Sequence, residues 1–217
     1  MDDLHAKPLP GYLAQRYKGW KATTHAEGAA WYRRLAEEGQ RPRVMVVACC
    51  DSRVHVTSIF GAESGEFFIH RNIAGLVPPY TDDGGQHGTS AAVEYAVTAL
   101  GVTNLVICGH SLCGGVKGCH DMCAGHAPEL EERTSFVGRW MDILRPGYEQ
   151  VKGVDDEGAR LRALEKEAVR VSLHNLLSFP FVAERVGDGR LSLHGMWVDI
   201  ASGALEVLGP DGTFEHL

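Results

Sequence analysis

Residues 43–53 read Arg-Val-Met-Val-Val-Ala-Cys-Cys-Asp-Ser-Arg. The β-branched run over 43–48 has no polar alternation, which predicts a short strand buried on both faces. Such a strand belongs in a parallel sheet, and its carboxyl end opens on Cys49, Cys50, Asp51 and Arg53. Further out, Glu66–His70 (EFFIH) and Asn104–Cys108 (NLVIC) predict two more strands. Between them, GTSAAVEYAVTALG (88–101) carries apolar residues at helical spacing and ends at a glycine. Strand, helix, strand in this order predicts a right-handed crossover.

The rest of the chain completes an α/β pattern. The segment up to about residue 40 predicts helix: Thr24 and Glu27 resemble a capping box, and Trp31, Tyr32 and Leu35 form an apolar stripe. Gly39-Gln40-Arg41-Pro42 ends it. Residues 134–145 and 155–178 predict further helices. LSLHGMWVDI (191–200) and ALEVLG (204–209), split by Ser202-Gly203, predict a closing hairpin. The expected fold is α/β: a mostly parallel central sheet of four to five strands flanked by helices, with a C-terminal hairpin. Residues 1–217 are expected to form a single domain, with 1–40 as an N-terminal helical arm and 41–217 as the α/β core.

Composition narrows the function. At 217 residues, 44% hydrophobic and 23% charged, the chain is long enough to build a core without disulfide staples. Its formal charge is 21 − 28 = −7, so no basic excess exists to neutralise phosphates. Neither a nucleic-acid partner nor an anionic membrane partner is expected. The longest apolar run, Val44–Cys50, falls far short of the ~20 residues that span a bilayer. The opening MDDLHAKPLP has no apolar leader region, so a cytoplasmic location is expected. Six cysteines in that setting read as reduced thiols, available for ligation, catalysis or burial.

Two patches carry chemistry, each at the carboxyl end of a predicted strand. One is Cys49 to Arg53; the other is His110-Ser111-Leu112-Cys113-Gly114-Gly115. Open α/β sheets bind ligands in the crevice beyond those strand ends. Cys49, His110 and Cys113 would converge there as three ligands, the pattern of a zinc that keeps one position for water. Cys49 alone is equally compatible with a small buried hydrophobe. Asp51 and Arg53 change the balance, because charged groups after an apolar strand are costly to bury unless paired. Cys113 stands where a helix is expected to start, which favours its thiolate.

The two patches together, Cys-x-Asp-Ser-Arg and then His-x-x-Cys-Gly-Gly, resemble the β-class carbonic anhydrases. The resemblance extends through GQRPRVMVVACCDSRV (39–54), FFIHRNIAGLVPPY (67–80), HGTSAAVEYAV (87–97), GHSLCGGVKG (109–118) and VSLHNLLSFPFVAERV (171–186) to LHGMWVDI (193–200). One departure is visible: Gly75 stands where that family usually has Asn. The resemblance implies a hydro-lyase that converts CO2 and water to bicarbonate and a proton, with one zinc ion per chain on Cys49, His110 and Cys113. Zinc-bound hydroxide would attack CO2, Asp51 would orient it, and Arg53 would hold Asp51 off the metal. Some members let that aspartate swing onto zinc at low pH. The resemblance also implies a substrate pocket of Gln40, Phe68, Ile73, Tyr95 and the Gly114 amide. The implied assembly is a homodimer at least, reaching a tetramer or larger, with the N-terminal helices wrapping the partner.

Weaker signals remain. Cys119 and Cys123 at i and i+4 share a helix face, which suits packing better than a second zinc or a redox pair. Cys50 points away from Cys49 if the strand persists. Gly109 to Lys117 lacks the Gly-Lys-Ser/Thr ending of a phosphate loop. His55, His70 and His87 are candidate proton relays. Two rival functions share these residues: a hydrolase of a CO2-like molecule such as carbon disulfide, and a non-catalytic zinc or thiol redox protein.

Overall fold

The computed structural model describes residues 5–132 and 134–217. The chain divides into two units, residues 1–40 and 41–217. The first holds three helices, α1 (Gly11–Ala22), α2 (Thr24–Glu27) and α3 (Ala29–Glu38), none with a buried residue. Its internal packing is aromatic: His25 stacks on Tyr32 at 4.8 Å and Trp20 lies 5.1 Å from His25. The expected capping box does not form. Residue 23 takes the N-cap position without a side-chain cap, and its hydroxyl turns back to donate to the Gly19 carbonyl.

The second unit is built on a six-stranded sheet of order β2-β1-β3-β4-β5-β6. Strands β1 (Val44–Cys49), β2 (Phe67–Asn72), β3 (Asn104–His110) and β4 (Ser192–Val198) run parallel. Then β5 (Leu205–Leu208) and β6 (Phe214–His216) turn back antiparallel. The sheet has one strand more than the four to five expected. Three residues of β6 are too few to give a periodic signal.

Among the described residues, seven α-helices accompany the sheet: α4 (Val56–Phe60), α5 (Gly88–Glu94), α6 (Gly114–Cys123), α7 (Phe136–Met141), α8 (Arg145–Val151), α9 (Glu157–Leu176) and α10 (Pro180–Gly187). The predicted helix over 88–101 is instead α5 followed by a π turn, Tyr95–Ala99. Among the described residues, no helix is long and apolar enough to cross a membrane.

β1 lacks polar alternation because both its faces are covered. Met45 and Val47 pack with Leu105, Ile107, Val93 and Val97, and with Val169 and Leu176 of α9. Val46 and Ala48 face the other way, against Val54, Val56, Cys108 and Met196. A third cluster joins the strand end to α6, α8 and α9 through Cys49, Ala74, Cys113, Val116, Val151 and Leu164.

Helix α9 comes very close to the sheet at Gly195 of β4. A Cβ there would meet Val169 Cγ1 at 2.8 Å, Leu173 Cδ1 at 3.0 Å and Leu208 Cβ at 3.1 Å. Gly195→Ala is therefore expected to destabilise the fold by about 1–3 kcal/mol through overpacking. Urea unfolding measures it, and an unchanged midpoint would show that α9 yields freely.

Candidate functional site

Three strand and helix ends meet at one point. Cys49 is the last residue of β1 and His110 the last of β3, and Ala48 pairs with Cys108 between them. A turn through Ser111 and Leu112 then brings round Cys113, the N-cap of α6. All three side chains are buried, and a ligand atom from each lies within 4.8 Å of the other two. The sulfurs of Cys49 and Cys113 are 3.9 Å apart.

Backbone amides stabilise negative charge on this cluster. Asp51 N–H and Ala74 N–H donate to Cys49 Sγ at 3.4 and 3.3 Å. The Cys113 thiol, sharing its proton with Cys49, holds Cys49 below the ordinary thiol range. The same contact, with burial, holds Cys113 above it.

His110 Nδ1–H donates to the Ser111 carbonyl at 2.9 Å, an acceptor only, so the lone pair sits on Nε2. Nε2 is buried and has no hydrogen-bond partner among the described residues. Leaving such an acceptor unmet costs about 1–3 kcal/mol, which argues against a histidine kept only for packing. Two thiolates and an imidazole are three of the four donors that a tetrahedral zinc takes, so the residues fit that ion.

The turn between His110 and Cys113 is strained and pinned. Leu112 has φ 56°, a left-handed value that costs a non-glycine residue about 1–2 kcal/mol. Its carbonyl accepts Arg53 Nη2 at 3.0 Å. The Ser111 hydroxyl accepts Ile200 N–H at 2.8 Å, and Cys113 N–H donates to Glu165 Oε1 at 3.4 Å.

Beside the cluster, Arg53 grips Asp51 with two side-chain contacts, Nε to Oδ1 at 2.9 Å and Nη2 to Oδ2 at 2.7 Å. The Arg53 amide adds a third, to Oδ1 at 2.9 Å. These hydrogen bonds hold the Asp51 carboxyl well below the usual carboxylate range. Arg71 fixes the same loop from behind, donating to the carbonyls of Cys49 (2.8 Å), Asp51 (2.7 Å) and Val54 (2.8 Å).

The pocket residues divide. Ile73 precedes Ala74, and its Cγ2 lies over Gly115, the second residue of α6. Gly114 follows Cys113 directly. Phe68 and Tyr95 pair with each other, ring centroids 5.8 Å apart, but not with the cluster. Phe68 stands opposite Met45 while Asn72 stands opposite Cys49, so Phe68 is set back about 13 Å along β2 at ~3.3 Å per residue. Tyr95 is 50% exposed. The register thus sets Phe68, with Tyr95 beside it, back from the chain's own cluster. Gln40 is exposed at the end of the first unit.

The other candidates resolve more simply. Cys50 is exposed, and its amide donates to the Asn72 carbonyl. Cys119 and Cys123 have sulfurs 4.0 Å apart, and burial pushes both thiols up, which suits a packed face and opposes redox reactivity. His70 is half-buried, bonds Thr89 Oγ1 at 3.0 Å and is pulled down by burial. His87 bonds Asp83 at 2.7 Å. Both line an open groove of about 800 Å³ that Ile73 and Asn72 also border. His55 is bound by Thr57 and Ser58 hydroxyls. Gly75 has φ 63°, and a Cβ there would meet the Ala48 carbonyl carbon at 3.2 Å and Cys49 N at 3.3 Å. The departure from Asn is thus a close backbone approach beneath the strand end.

Sequence reasoning missed Arg71 and Glu165. Glu165 had a signal: with Ala168, Val169, Ser172 and Leu176 it keeps the spacing of the buried stripe of α9, where a carboxylate needs a reason.

Fold and site define an α/β protein with a buried two-sulfur, one-nitrogen ligand set at its strand ends. The carbonic anhydrase family model matches residues 44–205. Beta carbonic anhydrase 3 of Arabidopsis thaliana is 38% identical over 194 residues, covering 87% of this chain and 72% of that protein. Beta carbonic anhydrase 5, chloroplastic, from the same plant is 34% identical over 84% of this chain, which spans 59% of its length. Among solved structures, the β-carbonic anhydrase CcaA superposes with TM-score 0.86 at 27% identity, covering 95% of this chain and 98% of that one. A structure from work on two tetrameric β-carbonic anhydrases of the ascomycete Sordaria macrospora gives 0.76 at 29% identity, with 91% and 95% covered. The chain belongs to the β-carbonic anhydrase family and is a carbonic anhydrase, an enzyme of CO2 hydration.

The clamp on Asp51 makes a prediction independent of any metal. Arg53→Ala should move the Asp51 carboxyl upward toward the ordinary aspartate range, followed by a carbon-detected NMR titration. No upward movement would mean that Arg53 is not what holds it down.

Proposed function

We propose that the chain hydrates CO2 reversibly to bicarbonate and a proton with one zinc ion held by Cys49, His110 and Cys113. The observation carrying this reading is the buried Cys49–His110–Cys113 set beside an arginine-clamped carboxylate, in a member of the carbonic anhydrase family. Bound there, zinc supplies Lewis acidity that brings a water toward ionisation near neutral pH. Everything else falls to the chain's own groups.

Asp51 is ionised and accepts hydrogen bonds without donating any. It serves to orient the reacting water, turning a lone pair toward the carbon of CO2. Ligands with no proton to give it are disfavoured. Arg53 keeps the carboxylate turned away from the sulfurs and ties it to the Leu112 carbonyl. The Gly114 amide, at the N-terminus of α6, donates to an oxygen of bicarbonate. Ile73 gives an apolar wall suited to CO2, which has no net dipole.

We assign Phe68 and Tyr95 to the same wall, reaching the centre of a second copy because they are set back from their own. That makes a homodimer the smallest working unit, with the tetramer as a larger form. In it, Gln40 offers its side-chain amide to a substrate oxygen, and residues 1–40 form an arm on the single domain. Exposed Tyr12, Tyr17 and Trp20 on α1 are consistent with that arm being covered.

The pH dependence follows from charge. Two thiolates cancel the ion's formal +2, whereas three neutral imidazoles leave it intact, so water is acidified less than in a three-histidine site. The rate should therefore rise between pH 7 and pH 8.5. Asp51, held below the carboxylate range, stays charged throughout and adds no slope there.

Stopped-flow CO2 hydration with zinc measured on the same sample tests the reading. We expect about one zinc per chain, faster turnover at pH 8.5, and an Asp51→Ala variant that keeps zinc but loses roughly 10²–10⁴-fold in turnover. Zinc without hydration, or full turnover in Asp51→Ala, overturns it. A profile flat from pH 6 to 9 removes the dithiolate argument.

A further inference from the structure

Glu165 bonds the ligand cluster through its backbone and has no part in the reaction proposed above. It lies in the first half of α9 and is 6% exposed. Its Oε1 accepts Cys113 N–H at 3.4 Å and its Oε2 accepts Trp197 Nε1–H at 3.3 Å. Both oxygens of one carboxyl group thus accept, one from the strained turn and one from β4.

The turn needs such a partner. Leu112 is left-handed and its side chain is 67% exposed, so packing does little to hold it. Arg53 holds the Leu112 carbonyl and Ile200 holds the Ser111 hydroxyl. Glu165 is the side chain that bonds the amide of Cys113 itself.

We propose that Glu165 is a positioning residue for the metal centre, fixing the Leu112–Cys113 turn through the Cys113 amide hydrogen and so aiming Cys113 Sγ at the ion. This rests on the zinc reading above. Glutamine has the same size but exchanges one acceptor for a donor. In Glu165→Gln, either the Trp197 N–H or the Cys113 amide loses its partner, and the sulfur is released from its direction. Groups that orient metal ligands from behind typically change metal affinity by about 10–100-fold when replaced.

The test is zinc affinity by competition with a chromophoric chelator, together with the thiolate charge-transfer band of the cobalt-substituted protein. Wild type is compared with Glu165→Gln and with Ser172→Ala. The control removes a buried hydrogen bond from the same helix, the one Ser172 Oγ accepts from Val77 N–H, away from the cluster. We expect Glu165→Gln to bind zinc about 10–100-fold more weakly with an altered cobalt band. Ser172→Ala should lose stability while keeping both readouts within about threefold.

Wild-type zinc affinity in a folded Glu165→Gln overturns the proposal. So does an equal loss in Ser172→Ala, which would make the effect one of general stability. If Glu165→Gln does not fold, Trp197→Phe carries the test by removing one anchor of the carboxylate: weakened zinc supports the proposal and unchanged zinc overturns it. A wild-type protein that binds no zinc fails the zinc reading itself, a different result from wild-type zinc binding that the variant retains.

Discussion

The register of β1 against β3 is the constraint on which the site depends. Ala48 opposite Cys108 leaves Cys49 level with Gly109, one residue short of His110. A slip by one residue would turn every side chain of β1 to the other face and undo the present meeting of Cys49 with His110 and Cys113. In a strand that is half exposed, the cost of exposing apolar residues forbids such a slip. β1 is apolar on both faces, so that protection is weak. Register is fixed at the strand's ends instead: Thr103 N–H and Asn104 N–H both donate to the Arg43 carbonyl, and Cys50 N–H donates to the Asn72 carbonyl. Arg71 adds three carbonyls beyond the last pair.

Two arginines therefore do separate work within a few residues of each other. Arg71 donates to backbone carbonyls and sets the path of the chain through 49–54. Arg53 donates to a carboxylate and sets the charge and direction of Asp51. Only an always-protonated planar fork can make either set of contacts. A lysine in either place would offer a single point charge and leave acceptors unmet. The strained Leu112 carbonyl joins the two patches, since the same Nη2 that holds Asp51 also holds that turn.

Much of this was legible in sequence because it is local. Strands β1, β2 and β3 announced themselves by composition, and the ligands lie at their ends or one short turn beyond. The Asp51–Arg53 pair is two residues apart, close enough to read as a pair. What was not legible depends on distance or on very short elements. Glu165 meets Cys113 across 52 residues, and in the sequence it is one more charge in the Glu-Lys-Glu stretch of a helix. Phe68 and Tyr95 were placed beside the ligands by resemblance, but the strand register sets Phe68 far back along β2. The supposed cap at Thr24 had the right residue types, and the preceding threonine bonded backward to Gly19 instead. β6 was too short to signal at all, and the π turn after Glu94 uses the same residues an α-helix would.

Charge gives the last connection between fold and chemistry. Cys49, Cys113, Asp51 and Glu165 put four acidic groups around one turn, and the balancing cation among their direct partners is Arg53, bound to Asp51. The fold tempers the rest with neutral donors: the amides of Asp51 and Ala74 on Cys49, and the Cys113 amide with the Trp197 indole on Glu165. Dipoles of this kind stabilise negative charge without cancelling it. Ionising several such groups together in a buried place is costly unless a counter-charge joins them, and Cys113 and Glu165 are both pushed up. A divalent cation on the two sulfurs and the unpartnered His110 nitrogen answers that cost directly, and its binding would add to the stability of the fold. The arrangement that makes this turn an expensive place to pack is thus the same one that suits it to hold a metal.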